Sequence, residues 1–542
     1  MKKQRRAFWI IGCLVLLTVI AAWFALNAGW SNKQSISSYS NPVWEAPDPY
    51  VILHEGVYYR TYPANGNQIV VSQSESLVTR GEPTVVYEFK TGNWNATAVW
   101  GPLALFQWDD GNWYIYYCAV HNGNIDMYGH ERRSGVLRSL TGDPMGPYED
   151  LSEDEPINTG DCWAIGVNPF KAPDGKWYVT WSGWQNIDSM FPQCTYIAPM
   201  ISPAEIGERV LISTPDKGWE CSVAPIQEGQ SVFVKDGKMF LLYSGNASWT
   251  EEYCVGMLVN ESGNVLDPES WVKQEEPLLR KNIGVRGPGG PCIVESKDGT
   301  EYYLMYHTTN VAYGGWTRRF TNALKVEFDE RGYPVFGEPL PYGEAFPLPS
   351  GDPGPTYTQV YNNQWKSDMG FAWTTYGGEW DVEFRARGSR YYCMEDDYSK
   401  SVADTVWVDD MELTTQMVFS GNDNPDGTAG VMIRVTNAKT GVLGFCGYYI
   451  SINPNKGTIS ISRVDEDKER ILATESIDVK RFKEYELHIR AVGDEIQVFV
   501  DQSEEPVVCA KDSTYMEGSV GIRAYRVSAK WGDFYVERVT DN

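Results

Sequence analysis

One phrase recurs five times between His54 and Tyr306 and limits what this chain can become: HEGVYYRTY, DDGNWYIYY, PDGKWYVTW, KDGKMFLLY and KDGTEYYLMY. Each sets an acidic residue and a glycine before an aromatic-rich run. Glycine accepts the positive φ that a tight hairpin demands, so each phrase predicts a turn feeding a strand. The glycines are Gly56, Gly111, Gly175, Gly237 and Gly299, spaced by 55, 64, 62 and 62 residues. Such a period has room for about four strands, one propeller blade. Long amphipathic helical windows are hard to find here, so a five-bladed β-propeller over residues 41–340 is expected.

The stretch EPLPYGEAFPLPSGDPGPTY, Glu338 to Tyr357, is dense in Pro and Gly and marks a linker over residues 341–356. Beyond it the phrase vanishes and alternating strands take over. In YELHIRAVGDEIQVFVD, Tyr485, Leu487 and Ile489 share one face, and Ile496, Val498 and Val500 share another across the Gly493-Asp494 turn. GYYISINPNKGTISISR reads as a second hairpin turning at Asn453 to Gly457. Residues 357–542 are therefore expected to form a two-sheet β-sandwich, a jelly roll. The fold class expected for the whole chain is all-β, preceded by an N-terminal transmembrane helix.

That helix is read from MKKQRR, four cations, followed by an uncharged apolar run from Ala7 to about Ala28. The run is long enough to span a bilayer, and the cations hold the N-terminus in the cytoplasm. Residues 1–30 are expected to be a membrane anchor, with a cleaved signal segment as the alternative, and residues 31–40 a polar tether. Everything beyond would be extracytoplasmic, membrane-anchored or secreted.

Composition narrows the partner. A net charge of -26 repels phosphates and argues against nucleic acid. Aromatics make up 13% of the chain, including 21 Trp and 33 Tyr, which suits stacking on sugar faces. The expected partner is a plant or microbial polysaccharide or oligosaccharide, with membrane contact through the N-terminal helix only. Ten cysteines include no CxxC pair, so metal and redox motifs are not read from them, and isolated buried thiols are expected.

A propeller converges its inner strands on one axis, so carboxylates near those strands carry weight. Asp48 in NPVWEAPDPYVI and Glu228 in APIQEGQSVFVKDGK precede their turn glycines by 8 and 9 residues. Equivalent inner-strand positions on different blades would face each other across the axis. Two such carboxylates suit glycoside hydrolysis, one protonating the leaving oxygen and the other activating water. Asp-Pro and Glu-Gly are also ordinary turn dipeptides.

The fragments NP-x5-DPYVI, WAI…DGKWYVTWSGW, YIAPM…RVLIST and EG followed by SWTEEYCVGML resemble glycoside hydrolase family 43, above all its members acting on α-L-arabinofuranosides. The resemblance implies a five-bladed propeller of inverting enzymes, with Asp48 as general base and Glu228 as general acid. It also exposes departures. The family's third carboxylate, which tunes the acid's pKa, follows WAI directly, and this chain has Gly166 there. Leu103 stands in place of a Glu, and Gly290 in place of a His that often lies near an axial cation such as calcium, so no cofactor or metal is expected. Asp161 and Glu220 are the acids nearest in sequence that would replace the lost carboxylate, and each also reads as a loop charge. Trp44, Trp100, Trp163, Trp184 and Trp249 are expected to offer stacking faces, although most Trp in such a fold are core. Arg286 stands where the family more often has an aromatic residue.

The C-terminal segments WDVEFRARG, AGVMIRVTN and GSVGIRAY resemble concanavalin-like modules related to carbohydrate-binding module family 66, implying sugar binding or packing. The expected function is exo-acting hydrolysis of a furanoside of the α-L-arabinofuranoside type. A tethered glycan-binding protein that lost catalysis with the Asp at 166 is the alternative. β-Galactofuranosidase, β-xylosidase and fructan hydrolase readings remain as minor ones, the last suggested by WEC at Trp219 to Cys221.

Overall fold

The computed structural model describes residues 38–120, 131–160, 163–186, 191–309, 316, 319–355, 360–363, 373–378, 380–384, 389–393, 399–403, 405–421 and 424–539. The expected anchor and Asp161 lie outside them. Among the described residues no helix is long and apolar enough to cross a membrane. Helix among them is confined to one turn at Gly218–Cys221 and a 3-10 turn at Pro268–Ser270; their other regular secondary structure is strand, joined by turns and loops.

Five antiparallel sheets of four or five strands follow one another along the chain. Their innermost strands are Tyr50–His54, Thr97–Gln107, Ala164–Lys171, Gln227–Lys235 and Arg286–Glu295. Each contacts the next, and the fifth contacts the first, so the five sheets close into a propeller. The five repeated glycines sit at the turns joining each innermost strand to its neighbour, all at φ between 70° and 81°. This is the left-handed region that the sequence phrase anticipates. Aromatic side chains fill the seams between blades, as where Phe106 meets Trp177 and Phe233 meets Tyr302, with centroids 5.9 and 5.1 Å apart.

Closure depends on the N-terminal side of the propeller. Trp44–Glu45 forms the outer strand of the fifth blade, pairing with Thr321 and Phe320. The chain then crosses directly to the innermost strand of the first blade at Tyr50. Asp48 is carried on that crossing, which is why it reaches the axis.

Two larger sheets, of eight and seven strands, lie between Val360 and Arg538. Leu413, Ile489 and Trp531 of one pack with Ile433, Ile450 and Ile522 of the other in a single core. Both hairpins read from the sequence form, with Tyr485, Leu487 and Ile489 buried on one face. The sandwich grips the closing strand of the propeller. Glu45 N donates to Thr374 Oγ1, and Glu45 Oε2 accepts from Thr375 N and Thr375 Oγ1, all at 2.7 Å. The eight described cysteines are free, most of them buried.

Candidate active site

The innermost strands do not run straight to the axis. Register shifts interrupt them between Trp100 and Ala104, Ile165 and Asn168, Glu228 and Ser231, and Gly289 and Cys292. A bulge bends its strand and re-aims the side chain beside it. Gly166, Gly229 and Gly290 occupy these bulges at φ 63°, 62° and 62°, and Asp48 adopts φ 45° ahead of the first blade's strand. Gly229 lies eight residues before its turn glycine, as Asp48 does. The two proposed carboxylates are therefore offset by one residue rather than equivalent. Asp48 projects from the left-handed residue itself, Glu228 from the residue before it.

Both carboxylates line one cavity of about 580 Å³. They are the only acids among its described lining residues, which are otherwise largely apolar, with Trp100, Trp163, Trp184, Trp249 and Trp316 contributing. Glu228 Oε1 accepts a hydrogen bond from the Tyr253 hydroxyl at 2.9 Å. Burial, and then the Asp48 charge, push the Glu228 carboxyl above its ordinary pKa, outweighing Tyr253, Ser248 and Arg319. Burial pushes Asp48 the same way, but the Arg319 guanidinium, 3.4 Å from Asp48 Oδ2, holds it below the ordinary carboxylate range. One cavity thus pushes the pKa values of its two acids in opposite directions.

His307 also braces Asp48. Its Nδ1 accepts the backbone N–H of Asp48 at 3.1 Å. A backbone N–H can only donate, so this nitrogen is unprotonated, in keeping with the lowering of the His307 pKa by burial and by Arg319. The glycines of GPGG make the space. A Cβ at Gly289 would lie 2.0 Å from the Tyr253 ring, and one at Gly290 would lie 2.9 Å from His307 Nδ1. A side chain at position 290 would thus crowd the imidazole of His307, which comes from the neighbouring strand Tyr302–Thr309. His307 Nδ1 is turned to Asp48 N, and among the described residues there is no group of three or more His, Cys, Asp or Glu that could hold a metal ion.

Several sequence expectations are corrected. Trp44 is buried in the core with the Arg60 guanidinium 5.0 Å over its ring, and does not line the cavity. Arg286 is exposed, pairs with Glu251 at 3.1 Å and also lies outside it. Glu220 is fully buried but not beside Gly166. Its oxygens accept from Gln227 Nε2, the Tyr243 hydroxyl, Asp216 N, Lys217 N and Lys273 Nζ at 2.7–3.0 Å, making it a structural anchor. Asp161 lies outside the described residues. Trp100, Trp163, Trp184 and Trp249 do line the cavity. Trp163 and Trp184 stack at 4.9 Å, and Arg132 lies 3.2 Å over Trp100. Arg319, His307 and Tyr253 were not singled out in the sequence. The available signal was weak: Tyr253 lies within SWTEEYCVGML and His307 directly follows the fifth repeat phrase, but nothing in either pattern marks the residue itself, and Arg319 lies in no quoted motif.

Residues 39–334 match the family described as Glycosyl hydrolases family 43. The chain belongs to that family. Among family relatives, it is 27% identical over 343 residues to an alpha-L-arabinofuranosidase 43 of Humicola insolens, covering 61% of this chain and 69% of that one. It is 29% identical over 285 residues to an extracellular exo-alpha-(1->5)-L-arabinofuranosidase of Streptomyces chartreusis, covering 50% and 82%. The crystal structure of an alpha-L-arabinofuranosidase from Lactobacillus brevis superposes with a TM-score of 0.52 at 28% identity, over 56% of this chain and 98% of that one. For this member of family 43, the Gly166 position holds no described carboxylate, yet it is open. A Cβ there would make only ordinary contacts, 3.7 Å to Pro102 and 3.9 Å to Gly229 N.

Proposed function

We propose that this family 43 protein is an extracytoplasmic, exo-acting, inverting α-L-arabinofuranosidase whose C-terminal sandwich is a carbohydrate-binding module. The observation that carries the reading is the opposed environment of the two cavity acids, Glu228 pushed up by burial and Asp48 held down by Arg319. Asp48 takes a proton from water as that water attacks the anomeric carbon. Glu228 gives its proton to the glycosidic oxygen as the bond to the leaving group breaks. Burial of Glu228 keeps that proton in place without a third carboxylate at position 166. The names of the relatives support the arabinofuranoside and the extracellular setting.

The test is turnover of aryl α-L-arabinofuranoside, β-D-galactofuranoside and β-D-xyloside by wild type and Glu228→Gln, with the released anomer followed by NMR. Arabinofuranoside cleavage with inversion, lost in the variant, is expected. No turnover on the panel, or an equally active variant, overturns the reading in favour of a glycan-binding protein.

A further inference from the structure

The eight-stranded sheet of the sandwich gives one face to the core and the other to solvent. Along Met411–Gly421, Glu484–Val492 and Glu495–Val500 burial alternates, so Leu413, Ile489 and Val498 point inward while their neighbours stay half-exposed. The contacts described between sandwich and propeller come from the other sheet. Thr374 and Thr375 meet Glu45, and Tyr376, directly after them, stacks on Phe320 at 6.4 Å.

Cross-strand register arranges the open face in rows. The middle row carries Tyr535, Thr414, His488 and Phe499 in order across four neighbouring strands. At about 4.8 Å per strand the row is roughly 14 Å long. His488 and Phe499 stack with centroids 5.3 Å apart and planes 27° apart. The His488 side chain is 36% exposed and Tyr535 37%, so the row is open to a ligand. Hydrogen-bonding side chains flank it on both sides, Glu412, Arg490 and Gln497 on one and Gln416 and Glu486 on the other. A sugar ring presents apolar C–H faces and a girdle of hydroxyls, which an aromatic strip between two polar rows matches on both counts.

At the Phe499 end the face deepens into a cavity of about 270 Å³, lined by Glu486, His488, Phe499 and residues 501–503. The turn there is strained. Ser503 N donates to Val500 O at 3.3 Å, and the two residues between them, Asp501 and Gln502, adopt φ of 53° and 40°. Two left-handed residues in succession follow the type I′ pattern, whose second position normally belongs to glycine. Gln502 keeps an exposed side chain there, on the cavity wall. Strain retained for a polar side chain at a cavity points to a use for that side chain.

Charge narrows the ligand. Around the middle row Glu412, Glu486, Asp501 and Glu537 outnumber Arg490 and Lys483, which disfavours an anionic glycan. We propose that this face is the saccharide-binding site of the sandwich and that it takes an uncharged polysaccharide, lying along the row from Tyr535 to Phe499 and gripped at the Phe499 end by Gln502. The inference rests on the reading of the sandwich as a carbohydrate-binding module and gives it a site and a ligand class.

The test measures binding isotherms of the full-length Glu228→Gln protein, which leaves the polymer intact, on insoluble linear arabinan, arabinoxylan and polygalacturonate. Binding to a neutral polymer and not to polygalacturonate is expected. Phe499→Ala should weaken that binding about tenfold through loss of a stacking ring. Gln502→Gly relieves the turn, so it should raise the thermal midpoint while weakening binding. Opposite movements of stability and affinity separate a binding role from a structural one, and this variant serves where Phe499→Ala fails to fold. Neutral-polymer binding unchanged in both variants overturns the site and leaves the module reading intact. Equal or tighter binding to polygalacturonate overturns the ligand class. A parent protein that binds none of the three overturns the module reading and this inference together.

Discussion

Tyr253 and His307 lie face to face, ring centroids 5.6 Å apart and planes 17° apart, in the space that Gly289 and Gly290 leave open. One ring holds Glu228 through its hydroxyl, and the other holds the backbone of Asp48 through Nδ1. The two cavity carboxylates are thus both held by a single stacked pair, drawn from the fourth and fifth blades. Any tilt of one ring is passed to the other carboxylate's support.

On the proposed mechanism Arg319 should set the acidic limb of the pH profile. It lies 3.4 Å from Asp48 Oδ2 and opposes the effect of burial on that carboxyl. Removing the cation lets burial raise the Asp48 pKa, so Arg319→Met should move the acidic limb of kcat/KM to higher pH. The alkaline limb, set by loss of the Glu228 proton, should move less. A loss of roughly 10²-fold at the optimum is expected from the misplaced base. A pH–rate profile of both proteins decides it; an unmoved acidic limb rules Arg319 out as the group that holds Asp48 ionised.

Position 166 accepts a carboxylate. Its φ of 63° excludes most side chains, but Asp and Asn tolerate this region, as Asp48 itself does at 45°. A Cβ there meets nothing closer than 3.7 Å. Gly166→Asp should therefore fold and add a negative charge near Glu228, moving the alkaline limb of the profile upward. Gly166→Ala should lose about 1 kcal/mol of stability to backbone strain without moving that limb. Urea melts and pH–rate profiles of the two variants separate charge from strain.

The blades were legible in the sequence because the hairpin turn fixes a glycine and the period fixes the spacing. Asp48 and Glu228 were legible as candidates because each lies shortly before such a glycine, although at 8 and 9 residues the two are offset by one. Arg319, His307 and Tyr253 were not, because their roles arise where different blades meet at the axis, and no spacing along the chain encodes that meeting. Trp44 misled for a related reason. Its nearness to Asp48 in sequence says nothing of the ladder that turns it under Arg60. GPGG looked like a loss, yet it is the condition for the close approach of Tyr253 and His307.

The same environments make stability depend on pH in opposite directions. The folded-state pKa of Glu228 is raised, so its contribution is fully present below the ordinary glutamate pKa and is lost as pH rises through the folded value. Asp48 is depressed, so its contribution is present above the ordinary aspartate pKa and is lost as pH falls through the folded value. Glu228→Gln removes the first cost and should stabilise the protein near pH 7. That gain should shrink toward pH 4. Urea midpoints at the two pH values test it, and an equal change at both would mean that packing, not ionisation, is responsible.

Glu45 ties the sandwich to the crossing that carries Asp48. It lies three residues before Asp48, and its carboxylate takes both the N–H and the hydroxyl of Thr375 at 2.7 Å. Between them Ala46 O accepts from Thr321 Oγ1 at 3.0 Å, and Arg80 Nη1 donates to Glu45 O at 3.4 Å. The crossing that carries Asp48 is thus held by the first blade, the fifth blade and the sandwich at once. Glu45→Ala gives up two hydrogen bonds to a charged group, each worth about 1.5–3 kcal/mol at most. It should lower the thermal midpoint and, by loosening Asp48, lower kcat about tenfold with KM little changed. Thr375→Val keeps the N–H contact and should show a smaller effect of the same kind. Calorimetry with kcat and KM for both variants tests the coupling; a lower midpoint with kcat intact would confine the clamp to stability and sever it from the chemistry.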